Sequence, residues 1–115
     1  MPDDKRETEW FHNILEIVTD GIAVLQDNEI VDVNSVLSTM LGYEKDDLIF
    51  MPFEDLVDSL SRRHHKNMLD ALADAEDVEP FSTRMRTKQG ELLHVEINPR
   101  IIDFDGDNAV LISVN

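Results

Sequence analysis

The chain has no cysteine among its 115 residues. Disulfides, thiolate metal sites, a cysteine nucleophile and cysteinyl-flavin photochemistry are therefore excluded. The opening Met1-Pro2-Asp3-Asp4-Lys5 lacks the basic and apolar regions of a signal peptide. No apolar stretch approaches the ~18 residues that a membrane span needs. Positive charge is scarce: 10 Lys and Arg stand against 25 Asp and Glu, for a formal net charge of −15. Such a surface repels nucleic-acid phosphates and anionic lipid, so neither nucleic acid nor membrane is expected as a partner of this segment. A soluble, cytoplasmic chain is the expectation. Internal repeats and low-complexity segments are also absent.

What is there is enough for one domain, and a chain of this size buries roughly 65% of the surface its unfolded form exposes. The acids are dispersed along the chain rather than gathered in a tail. Dispersed charge suits a halophilic protein in a salt-rich cytoplasm, where counterions screen self-repulsion; an ordinary acidic domain is the alternative.

Residues 1–7 are polar and are expected to be frayed. From Thr8 the spacing of Trp10, Phe11, Ile14, Leu15, Ile17 and Val18 predicts a helix over 8–19, ended by Asp20-Gly21. Residues 21–26 read as a strand, Asp27-Asn28 as a turn and residues 30–33 as a second strand. Asn34 is placed to cap a helix with the apolar stripe Val36, Leu37, Met40 and Leu41, and Gly42 ends it. Short turns follow over 44–49 and 53–57, separated by Met51-Pro52. A longer helix is predicted over 61–75, with Met68, Leu69, Leu72 and Ala75 on its buried side. Alternation over 81–87 and 92–101 around Lys88-Gln89-Gly90-Glu91 predicts a hairpin. A polar turn over 103–108 and a last strand over 109–114 complete the chain. Hairpins at both ends with helices between argue an α+β fold, an antiparallel sheet with helices on one face.

Motifs for chemistry are few. Adjacent His64 and His65 point about 100° apart on a helix, so at most one faces inward. With Arg62, Arg63 and Lys66 beside them, a solvated basic end is the reading preferred over a haem ligand. "DFDGDN" (103–108) hints at a calcium loop, but Gly106 is fourth rather than sixth and position twelve is Val114, so the motif fails. His94 and Glu96 share a strand face without a serine or a metal-ligand set. No enzyme is expected. Met40, Met51, Met68 and Met85 suit either an irregular ligand cavity or plain core filling.

The order of these pieces resembles a PAS (Per-ARNT-Sim) sensor domain. The matching segments are "DGIAVLQDNEIVDVN" (20–34), "VLSTMLGYEKDDLI" (36–49), "FEDLV" (53–57) and "RTKQGELLHVEINPRIID" (86–103). The resemblance covers about residues 10–115, with the domain itself at 20–115, and implies a five-stranded antiparallel sheet under an arch of short helices. Phe50 departs from it, standing where many members have glycine, and is expected to narrow the mouth of a pocket. The family's usual continuation beyond Asn115 implies a fragment of a longer sensor kinase, transducer or regulator, with a C-terminal effector domain outside this sequence.

By strand parity and that resemblance, the inward, ligand-facing set comprises Ala23, Leu25, Val33, Thr83, Met85, Leu93, Val95, Ile97, Leu111, Ser113 and Asn115 from the sheet. The arch adds Leu37, Met40, Leu41, Leu56, Met68 and Leu72. Ala23 and Ser113, both small, leave room above the middle of the sheet. The implied function is sensing a small, mostly apolar, neutral ligand, an aromatic ring being one form; haem and flavin are not expected. The alternative is a ligand-free dimerisation or interaction module. Strands 21–26 and 109–114 are apolar on both faces, so the outer face needs a cover, and the N-terminal helix or a homodimer partner is expected to supply it.

Overall fold

The first hairpin is set by two residues. Asp27 and Asn28 take positive φ, 53° and 67°, the primed-turn geometry whose twist matches that of paired strands, and their short polar side chains tolerate it. They join β1 (Gly21–Gln26) to β2 (Glu29–Val33). The computed structural model describes residues 13–73, 78–104 and 106–115, the side chains of residues 72 and 73 excepted. The expectations for residues 1–7, for Trp10 and Phe11, for Ala75 and for the side chain of Leu72 lie outside what is described.

Residues 13–17 are helical (α1). After β2 the chain forms α2 (Ser35–Leu41) and α3 (Lys45–Leu48), single 3-10 turns at Phe53–Leu56 and Ser59–Ser61, and then α4 (Arg62–Ala73). The strands β3 (Phe81–Arg86), β4 (Leu92–Phe104) and β5 (Asp107–Val114) follow, and the sheet order is β2-β1-β5-β4-β3, antiparallel throughout. The first and last strands are thus neighbours in the sheet.

The hairpin between β4 and β5 is tighter than expected. Asp103 and Asn108 pair, as do Phe104 and Asp107, so most of the polar stretch 103–108 is strand. Ile102 and Phe104 hold it there by packing on the outer-face cluster, and Gly106 at φ 85° serves the turn. Both edge strands are blunted by the arch: Pro52 bridges Glu29 of β2, and Val57 bridges Met85 of β3.

Two apolar clusters lie on the two sides of the sheet. The inner one unites Leu25, Ile30, Val33, Ile97, Ile112 and Val114 with Leu37, Leu41, Leu48, Phe53, Leu56 and Met68 of the arch. The outer one unites Leu15 with Ile22, Val24 and Ala109, and Val31, Ile102, Phe104 and Leu111 pack against it half-buried. So α1 of the same chain covers part of the outer face through Leu15, while Ile17 stays 75% exposed.

Candidate functional site

The arch hangs from one joint. Asn34 takes an extended conformation ahead of α2, and its Oδ1 accepts N–H bonds from Leu37 (3.1 Å) and Ile22 (2.9 Å). Its Nδ2 donates to the carbonyls of Leu15 and Asp20, both at 2.9 Å. The predicted cap therefore also ties α1, the start of β1 and α2 together. Next to it, the Glu16 carboxylate accepts from the Ser35 N–H (2.7 Å) and hydroxyl (2.9 Å) and pairs with Lys45 at 3.2 Å. The Ser35 backbone bond is the main cause that holds the Glu16 carboxyl below the usual range. At the other end of α2, Gly42 sits at φ 79° and its N–H returns to the Ser38 carbonyl, the left-handed C-cap expected of glycine.

Under the arch the structure brings most of the expected inward residues together. Ala23, Leu25, Val33, Leu37, Leu41, Leu56, Met68, Met85, Val95 and Ile97 are buried in one cluster, with Met40 and Leu93 packed against it. Thr83 is buried opposite Val95 in the register of β3 and β4, on the same face. Leu111, Ser113 and Asn115 are a correction. The β1–β5 register pairs Ala23 with Ile112, and Ser113 with Ile22, whose side chain belongs to the outer cluster. Leu111 packs on that outer cluster, and Ser113 and Asn115 share its parity. The space above Ala23 is therefore flanked by Ile112, not by Ser113. Ile30, Leu48, Phe53, Val57, Ile112 and Val114 complete the inner cluster without having been expected there. The apolar residues of β5 alternate on both faces, so parity alone left its inner set open, and Phe53 stood in a short turn without a long-range period.

His65 is a second correction. His64 is exposed and meets the edge of Phe81, with ring centroids 4.7 Å apart. His65 is 2% exposed and stacks on Phe53 at 4.8 Å and 28°. Its place on α4, three residues before the buried Met68 and four before Leu69, turns it into the interior. Neither ring nitrogen has a hydrogen-bond partner among the described residues. Burial first, and the neighbouring His64 second, push its pKa down to about 4, so the ring is neutral at physiological pH.

The inner face opens at one end of the sheet. A cleft of about 390 Å³ lies between α4 and the two hairpins, with Leu25, Leu69, Ile101 and Val110 as apolar surfaces and Asp27, Asn28, Asp70 and Asn108 among its polar ones. Leu25 belongs to both the cleft and the core, and Leu69 stands one helical turn from His65. Among the described residues no group of three or more His, Asp or Glu side chains is arranged to hold a metal ion, and no helix is long and apolar enough to cross a membrane.

A five-stranded antiparallel sheet of this order, roofed on one face by short helices, defines the fold class. The family profile for the PAS domain matches residues 19–115, and the chain belongs to that family. It is 25% identical over 108 residues to the methyl sulfide methyltransferase-associated sensor of Methanosarcina acetivorans, covering 92% of this chain and only 11% of that protein. A PAS domain from a two-component sensor histidine kinase superposes with a TM-score of 0.79 at 19% identity, over 96% of both chains. The PAS domain of a LuxR-family transcriptional regulator from Burkholderia thailandensis, solved in complex with ethanol, gives 0.68 at 20% identity over 91% of this chain and 95% of that one. The protein is thus a PAS sensor domain related to sensor proteins.

Phe50 stands at positive φ between α3 and the Phe53–Leu56 turn. Its side chain is 69% exposed and is not among the residues that line the cleft. Its φ of 69° accounts for the glycine common at this position, since only glycine takes that geometry without strain.

Proposed function

We propose that this domain is the sensing module of a larger sensor kinase, transducer or regulator, and that it binds a small, mostly apolar, neutral molecule between the arch and the inner face of the sheet. The observation that carries the reading is the inner cluster, covered by α2, α4 and the single turn Phe53–Leu56, with a cleft beside Leu25 at one end. The ethanol-bound relative supports small size, and the sensor of which this chain covers 11% supports a larger whole. Binding would bias the arch, and the Asn34 joint would carry that bias to α1 and β1. Native mass spectrometry of freshly purified protein tests the reading. A bound small molecule is expected, and Ala23→Leu should prevent its retention; a wild-type protein without any ligand, unchanged by the substitution, would count against it.

A second reading, a homodimer, is favoured by the outer face, where Val31, Ile102, Phe104 and Leu111 are only half-buried beside α1. Sedimentation equilibrium decides it: a dimer is expected at micromolar concentration, weakened by Leu111→Glu. The net charge of −15 supports a salt-rich cytoplasm as the site of action, and melting temperature should then rise steeply with potassium chloride.

A further inference from the structure

We propose that His65 is the hydrogen-bonding contact of the ligand site under the arch, and that the ligand is a small, mostly apolar molecule carrying a hydroxyl or N–H group. The inference rests on the interior-ligand reading given above and adds the chemical class. Of the other buried polar side chains among the described residues, Asp32, Asn34, Ser38 and Asp58 have partners. Asn34 makes four hydrogen bonds, the Ser38 hydroxyl donates to the Ser35 carbonyl, and Asp58 pairs with Arg84. His65 alone among these is 2% exposed with both polar atoms unpartnered. A buried donor and acceptor without partners cost stability that a leucine or phenylalanine in the same place would not. Such a group marks a partner that the chain itself does not supply.

The geometry restricts that partner. Stacking on Phe53 fixes the plane of the imidazole, so its two nitrogens offer hydrogen bonds only along the edges of the ring. In the neutral ring one nitrogen donates and the other accepts. A hydroxyl does both, which suits it to either edge. The surroundings are the apolar inner cluster, including Phe53, Leu56 and Met68, so the rest of the ligand is apolar. Phe53, which stacks on His65, belongs to the single 3-10 turn Phe53–Leu56. Leu69, one turn along α4 from His65, lines the cleft.

The test compares phenol with toluene, which is nearly the same size and carries a methyl group in place of the hydroxyl, on the full 115-residue chain with ¹⁵N-labelled histidine. Phenol is expected to bind at least about tenfold more tightly, the discrimination a single buried hydrogen bond gives, and to shift a His65 ring nitrogen resonance. His65→Phe should fold, melt no lower than the wild type and bind the two probes with a ratio near one. His65→Gln, which keeps a donor and an acceptor, should retain part of the preference. If both probes bind equally and His65→Phe changes nothing, the contact is refuted while the interior-ligand reading stands. If neither probe binds, both are refuted.

Discussion

Asn34 and His65 are buried alike, at 0% and 2% exposure, and are otherwise opposites. The amide lies where α1, β1 and α2 meet, and each of its polar atoms reaches two backbone groups. The imidazole lies in the arch against Phe53, with both nitrogens bare. A buried polar group with every bond made holds several segments in one arrangement, and losing it exposes all of them to the cost. A buried polar group with no bond made lowers stability by being there. The first belongs to the framework that positions the arch. The second belongs to what the arch covers, where stability has been given up.

The contrast can be broken most directly at Asn34. Asn34→Ala strands two N–H and two carbonyl groups and should cost about 3 kcal/mol or more in urea denaturation at neutral pH. A loss below about 1 kcal/mol, the range of an isolated helix cap, would remove Asn34 from the framework.

Acid gives the next largest effect, at His65. Its folded pKa, about 4, lies below the ordinary 6.5, so the unfolded chain takes up the proton first. Stability should therefore fall as pH drops from about 6.5 to about 4, by on the order of 3 kcal/mol from this one group. Comparing His65→Leu with the wild type across that window isolates the contribution, because the variant should lose it. Parallel curves would show that the ring is not held neutral by burial.

Gly21 sharpens the framework side. A Cβ there would come within 3.0–3.2 Å of Leu37, including its backbone Cα. Gly21→Ala should push α2 off the start of β1 and lower stability by about 1–2 kcal/mol, read by thermal melting. An unchanged melting temperature would mean that the joint has slack.

The smallest effect is expected from Glu16, whose carboxylate is a third exposed. Glu16→Gln should cost below about 1 kcal/mol at neutral pH. Because its folded pKa is lowered, its contribution is present above pH 4.5 and lost as pH falls below that value. The variant should show a shallower acid limb there, and an identical limb would put the Ser35 contact out of the stability account.

The parts of this molecule legible from sequence are those in which one residue decides its own backbone. Asp27-Asn28, Asn34 and Gly42 each sit at a joint that demands positive φ or a side-chain cap, and each was readable without knowledge of the rest of the chain. The inner set was legible on β1, β3 and β4 and inverted on β5. Val110, Ile112 and Val114 compete there with Ala109, Leu111 and Ser113, and the alternation has no polar side to mark solvent. Only pairing with β1, which sets Ile112 beside Ala23, decides between them.

The sequence by itself determined the family, the order of the elements and the turns that separate them, because local backbone preferences and short-range periodicity suffice for these. Tertiary structure decided which face of β5 looks inward, how far α1 reaches over the outer face, and that His65 rather than His64 is shut away from water. The physical reason is the same in each case. Burial and desolvation are properties of what crosses over a residue, and the segments that cross over β5 and His65 lie far from them along the chain.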